Sequence, residues 1–296
     1  MDWEKVAEQF LIFKEAQGCA DSTLELYKWQ FKRFFEAVGD DDIEAGTMKY
    51  FSALRGQAPT TYNIALRCMK CFFRWCQDRG LIEEMPTRDL KQRRDEPKIR
   101  SIPLDTIMKL LQKPDKSTFA GLRDYGLMLL QLDTGIRPGE AVQLLPEHFN
   151  LKAREVLIPA HIAKARYSRT LPFSFHTLDV VQQLLLARPD DWGPEVPVFA
   201  STRGEQISRV AYGRRMQKYS EDIGERVTPY DLRHTFALEY LRNGGDVFSL
   251  QRMMGHANLE MTKRYVALAQ ADIKQIHGQA SPVNKLLNKR TRVGKL

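Results

Sequence analysis

Hydrophobic residues recur at helical intervals over most of the chain. Trp3, Val6, Ala7, Phe10 and Leu11 form one apolar stripe, the signature of an amphipathic helix. Leu24, Tyr27, Phe31, Phe34 and Phe35 form a second, with Ser22 placed to cap it and Glu25 three residues later in capping-box spacing. A short helix over 47–54 and a longer one over 60–78 follow, and Gly80 stands where the longer one should stop. Four helices with short connections over 1–85 predict a small bundle.

The pattern then breaks. Residues 86–102 are punctuated by proline and basic: Arg88, Lys91, Arg93, Arg94, Lys98 and Arg100 stand against three acids. This reads as a solvated linker between domains. In a protein that binds nucleic acid, the same stretch could lie along phosphates. Helical periodicity resumes in a second domain over 103–269, with helices expected near 107–111, 122–132, 176–187, 208–223, 230–242, 247–254 and 259–267. Between them EVLIPA and RTLPF, separated by HIAKARYS, predict two short strands around a basic turn. The fold expected is mainly α with a small antiparallel sheet. A basic tail, 270–296, has Asp272 as its sole acid.

Composition narrows the function classes. The 296 residues suit roughly two domains at about 150 residues each. A hydrophobic share of 43% and a charged share of 28% describe a soluble globular protein. No apolar run approaches the ~20 residues of a spanning helix, and MDWEKVAEQF lacks the layout of a secretory signal. A cytoplasmic protein with no membrane partner is expected. Forty-five Lys and Arg against 37 Asp and Glu leave a net charge of +8, which favours nucleic acid or an anionic surface. Cys68 and Cys71 form a C-x-x-C, yet with Phe72, Trp75 and Cys76 they share one apolar stripe, and no second ligand pair lies nearby. Core packing is the expectation there, not zinc or redox chemistry.

Four short segments join a turn signal to a residue suited to phosphate. In LDTGIRPGE, Gly135 suits a helix end, Pro138 a helix start, and Arg137 the corner between. Lys164 falls in the turn between the two strands. In RVTPYDLRHTF, Thr228 can cap a helix that carries Tyr230 and Arg233 on one face near its N-terminus. In MMGHANLEMTKRY, Gly255 ends a helix, His256 follows in the turn, and Tyr265 lies on the next helix. Taken singly, each has a plain explanation: Arg137 could pair with Glu140, Lys164 could be a surface lysine, and Arg233 a structural salt-bridge partner.

As an ordered set they resemble the tyrosine recombinases, or phage integrase family, over nearly the whole chain. TGIRPGE resembles the family's first box, and Lys164 with Arg169 and Pro172 its hairpin lysine motif. Tyr230-Asp231-Leu232-Arg233 resembles its H-x-x-R box, Met254-Gly255-His256 its LGH box, and Tyr265, nine residues after His256, its nucleophile. STLELYKWQFKRFFEAVG is similar to the family's core-binding domain. The chain departs at Tyr230, where the family has histidine; a tyrosine can donate a hydrogen bond but is a poor base.

The resemblance implies a four-helix SAM-like core-binding domain over 1–85 and a catalytic domain over 103–269. Its implied chemistry is attack of Tyr265 on a DNA phosphate, giving a 3′-phosphotyrosyl link. Arg137 and Arg233 would clamp the phosphate, His256 would help hold it, Tyr230 would play a secondary part, and Lys164 would protonate the leaving oxygen. No metal, nucleotide or other cofactor is implied. The implied partners are duplex DNA recombination sites and three further copies of the chain in a homotetramer on two sites. Accessory DNA-bending or directionality proteins are possible additions. Arg88, Lys91, Arg93, Arg94, Lys98, Arg100, Arg166 and Arg169 are the expected DNA contacts, and the tail 270–296 the segment that docks on a neighbouring protomer. The first helix begins almost at Met1, so no arm-binding domain is expected before it. Integration or excision of a mobile element is the role expected; a Xer-type dimer resolvase, a type IB topoisomerase and an inactive DNA-binding relative are the alternatives.

Overall fold

A computed structural model describes residues 2–39, 41–95, 99–269, 277–278 and 281–286. The chain divides into two compact units, Met1–Lys98 and Ile99–Leu296, a division falling inside the stretch read as a linker. Among the described residues, no helix is long and apolar enough to cross a membrane.

The first unit is built from α1 (Trp3–Ala16), α2 (Asp21–Val38), α3 (Ile43–Ala53) and α4 (Pro59–Gln77). Their apolar stripes meet around Phe10, whose ring lies 5.1–5.7 Å from those of Tyr27, Phe31, Phe72 and Trp75. Such aromatic pairs add about 0.5–1.5 kcal/mol each beyond the area they bury. Cys68 and Cys76 are buried in this core. The expected cap at Ser22 does not form. Helix α2 starts two residues earlier, with Ala20 at the N-cap and no side-chain cap, so Ser22 lies within the first turn.

The stretch after α4 departs from the solvated linker expected. Residues up to 95 stay on the first unit, because the Asn63 amide both accepts from Arg93 N and donates to Arg93 O, each at 2.8 Å. Thr87 is fully buried. Lys98 lies outside the described residues.

The second unit is centred on α6 (Phe119–Thr134), packed between α8 (Phe175–Leu186) and α10 (Pro229–Arg242). Helices α5 (Leu104–Leu111), α7 (Pro138–Ala141), α9 (Arg209–Glu221), α11 (Val247–Met254) and α12 (Glu260–Ala269) complete it. The antiparallel sheet has three strands in the order β1-β2-β3, with β1 at Phe149–Asn150, β2 at Glu155–Ile158 and β3 at Arg169–Pro172. Strand β1 was not legible, since two residues carry no period. Register pairs Val156 with Leu171 and Ile158 with Arg169, and burial alternates so that all four face inward. Arg169 thereby takes an inner position that alternation normally gives to an apolar residue.

A buried carboxylate ties α6 to α9. Asp124 accepts from Arg123 Nε at 3.0 Å, Tyr219 OH at 2.8 Å and Arg215 Nε. Of the tail, 277–278 and 281–286 are described, including a short helix at Pro282–Leu286; the rest of 270–296, read as a docking segment, lies outside the described residues.

Candidate active site

Two helix ends assemble the site. Helix α6 stops at Gly135 and α11 at Gly255, both in the left-handed conformation with φ of +65° and +60°. Glycine is required at each. A Cβ on Gly135 would overlap the Phe236 ring, and one on Gly255 would come within 3.3 Å of both the Arg137 and Arg169 guanidinium groups.

The last carbonyls of a helix lack intrahelical donors and carry the negative end of its dipole. At the end of α11, three successive carbonyls each accept from a different arginine. Met253 O takes Arg169 Nε at 3.0 Å, Met254 O takes Arg233 Nη2 at 2.7 Å, and Gly255 O takes Arg137 Nη2 at 2.9 Å. Arg233 also donates to Gly135 O at the end of α6. Three guanidinium groups from α7's N-cap, β3 and α10 thus converge on one turn.

One carboxylate spaces them. Glu140, at the third position of α7, accepts from Arg137 Nη1 at 3.1 Å, Arg169 Nη2 at 2.5 Å and Lys164 N at 3.1 Å. Burial raises its pKa, but the hydrogen bond and charge of Arg169, then the charge of Arg137, outweigh this and hold the carboxyl below its usual range. Three cations against one anion leave two positive charges in excess, the electrostatics of an anion site. Arg169 Nη1 is buried with no hydrogen-bond partner among the described residues. Burial, reinforced by Arg137, lowers the Arg233 pKa to about 9, which keeps it protonated at neutral pH.

His256 and Tyr265 border the arginines. His256 Nε2 lies 3.3 Å from Arg233 Nη2, its Nδ1 lies 2.9 Å from Thr262 Oγ1, and its ring stacks on Tyr265 with centroids 6.2 Å apart. Burial and then the three arginines push its pKa down to about 4. Tyr265 is only 4% exposed; burial raises its pKa, against the opposing pull of Arg233 and Arg137. Its hydroxyl lies 2.7 Å from Nδ1 of His234.

Of the residues singled out from sequence, Arg137, Arg233, His256 and Tyr265 come together in this cluster. Lys164 reaches it through its backbone, and its side chain is exposed. Tyr230 occupies the first turn of α10, where it is 40% exposed. Arg169 corrects an expectation: instead of facing outward as a DNA contact, it is buried against Glu140, because the strand register turns it inward.

Arg93 departs from its expected DNA-facing role too. It donates to Leu54 O and Arg55 O, and its guanidinium stacks on Tyr62 at 3.7 Å. Arg88 is paired with Glu84 and Asp89, and Arg100 with Glu225 and Arg226 O. Lys91, Arg94 and Arg166 are exposed.

Sequence reasoning missed His234 and Thr262. His234 was within reach, since it lies four residues after Tyr230, a spacing that places the two side by side on the helix. Among the described residues no group of three His, Cys, Asp or Glu is placed to hold a metal.

Comparison with known proteins agrees across the chain. Residues 100–272 match the phage integrase family. The chain is 28% identical to the tyrosine recombinase XerC of Thermodesulfovibrio yellowstonii, over 92% of this chain and 94% of that protein. It is 29% identical to XerD of Pseudomonas aeruginosa, over 90% and 93%. In fold it resembles the Tn1549 transposon integrase solved with a circular intermediate DNA, at a TM-score of 0.72 and 17% identity over 93% of this chain and 98% of the other. A lambda integrase dimer bound to a core site is similar, with a TM-score of 0.71 and 17% identity over 88% and 97%.

Proposed function

The chain belongs to the phage integrase family and is a tyrosine recombinase of the Xer and integrase type, and from that membership we propose that it cuts and rejoins duplex DNA with Tyr265 as nucleophile. The observation that carries this reading is the convergence of Arg137, Arg169 and Arg233 on the end of α11, beside His256 and Tyr265.

A phosphodiester gains negative charge on its nonbridging oxygens during attack. Guanidinium groups held rigidly in a buried site stabilise that charge without reorganising. Arg137 and Arg233 are the clamp, and His256 completes it. Tyr265 Oη bonds to phosphorus, the bond to O5′ breaks, and Lys164, on the turn moored to Glu140, protonates O5′. One phosphoester replaces another of similar energy, so the 3′-phosphotyrosyl link stores what religation needs, with no metal or ATP. Attack by a strand from a second site passes through a Holliday junction. Four copies on two sites, with accessory DNA-bending or directionality proteins, fit such an exchange in the cytoplasm. Exposed cations including Lys91, Arg94 and Arg166 supply sequence-blind phosphate contact.

Tyr230 in place of histidine supports integration or excision of a mobile element as the role. The Xer relatives, matched over nine-tenths of both chains, support a Xer-type resolvase as the second reading. A duplex selected from a random pool by retention on the protein, then nicked beside its scissile phosphate, tests the chemistry. Wild type should form a covalent adduct, in EDTA and without ATP, that is absent from Tyr265→Phe. An adduct of equal yield in Tyr265→Phe sinks the assignment.

A further inference from the structure

Attack on phosphorus requires the Tyr265 hydroxyl to lose its proton, and three side chains come into question as acceptor. Tyr230 is an exposed phenol in the otherwise buried first turn of α10. His256 has both nitrogens engaged. Arginine can only donate, so Nε2 of His256 accepts from Arg233, and Nδ1 must carry the proton that points to Thr262 Oγ1. His234 remains, with Nδ1 2.7 Å from the attacking oxygen itself.

Building on the proposed role of Tyr265 as nucleophile, we infer that His234 is the general base of the cleavage step. Tyr265 donates to a bare Nδ1. As the bond from Oη to phosphorus forms and the bond to O5′ breaks, the phenolic proton passes to Nδ1, and O5′ takes its proton from Lys164. The imidazole missing at position 230 is supplied four residues later, on the same helical face.

The surroundings suit that task. Burial favours the neutral form of His234, with Asp231 opposing this and Arg233 reinforcing it. The groups that face it are Asp231 and Arg233 on its own helix, Tyr265 from α12, and His256 from the turn before α12. Once protonated, the imidazolium can return its proton to Tyr265 when the link is resealed. Pairing Tyr265 with a histidine instead of an exposed phenol also keeps the proton path out of solvent, as both residues are at least partly buried.

Two measurements decide it. Nitrogen-15 NMR of histidine in the DNA-free protein should show His234 as the Nε2–H tautomer, with Nδ1 unprotonated; an Nδ1–H tautomer overturns the inference whatever the activity. In the nicked-duplex assay, His234→Ala should retain DNA affinity and cleave about 10²–10⁴-fold more slowly, the usual worth of a general base. Added imidazole should restore cleavage at least tenfold, in proportion to its free-base fraction (roughly, for a diffusible base).

His234→Asn, which keeps an acceptor near the Nδ1 position without a titratable nitrogen, should stay as slow as His234→Ala. If His234→Asn cleaves within about threefold of wild type, His234 only positions Tyr265 and the inference fails. Cleavage by His234→Ala that equals wild type yet still needs Tyr265 removes His234 alone. An adduct that forms without the Tyr265 hydroxyl removes the nucleophile assignment instead.

Discussion

Arg233 places Nη2 3.3 Å from Nε2 of His256, and since a guanidinium only donates, the imidazole nitrogen that faces it is bare. His256 is therefore neutral, held as the Nδ1–H tautomer between Arg233 and Thr262. The same arginines that cluster at the end of α11 set the protonation state of the histidine beside them. A bound phosphate, by offsetting the arginines, should draw a proton toward His256.

Neutral His256 makes stability depend on pH. Its pKa is lowered to about 4 in the fold, and that of His234 is lowered in the same direction. The unfolded chain takes up these protons near pH 6.5 and so binds more of them as pH falls. Stability should be complete above about pH 6.5 and decline toward about 4, by up to roughly 1.4 kcal/mol per unit for His256. Urea midpoints at pH 7.5 and 5.0 test this, and His256→Gln should flatten the slope.

Glu140 is the sole carboxylate hydrogen-bonded to both Arg137 and Arg169 among the described residues. Replacing it by Gln leaves the buried Arg169 and the part-buried Arg137 without their counter-charge, a change that costs about 3–5 kcal/mol. Equilibrium unfolding of Glu140→Gln at pH 7.5 should show that loss, and cleavage should fall along with it. A variant as stable as wild type would mean the arginines need no counter-charge.

Tyr230 and Arg137 should differ sharply in consequence. Tyr230 is partly exposed on the helix surface, whereas Arg137 is held between Glu140 and Gly255 O. Arg137→Ala should reduce the rate of adduct formation by about 10²–10³-fold, as for loss of one preorganised donor. Tyr230→Phe should stay within about threefold of wild type, since it removes no such donor. Equal losses in single-turnover cleavage would give the Tyr230 hydroxyl an essential part.

Asp124 tests the scaffold apart from the chemistry. It is fully buried and satisfies Arg123, Arg215 and Tyr219. Asp124→Ala strands Arg123, which is itself 4% exposed, and should destabilise the protein by about 3–5 kcal/mol. Thermal unfolding measures it; a loss below about 1 kcal/mol would place the network among surface-grade ion pairs.

The helices of both units were legible because amphipathic period and end signals are local. Gly135, Gly255, Thr228 and Pro138 mark boundaries within one turn of where the helices end or begin. Local turn signals marked the segments around Arg137, Arg233, His256 and Tyr265, and the resemblance to a known family joined them into one ordered set. Charge was less informative. Of the basic stretch after α4, Arg93 is committed to backbone carbonyls and an aromatic face, and Arg88 to acids.

Only the tertiary structure decided what each of those side chains faces. Strand pairing of Ile158 with Arg169 turned an arginine inward, and no sequence period announces a buried cation. The meeting of α10 with α12 set His234 against Tyr265 across 31 positions of chain. Three carbonyls at the end of α11 drew arginines from three separate elements into one site. Helix ends are written in neighbouring residues, whereas partners that lie far apart in the chain are chosen only when packing brings them within hydrogen-bond reach.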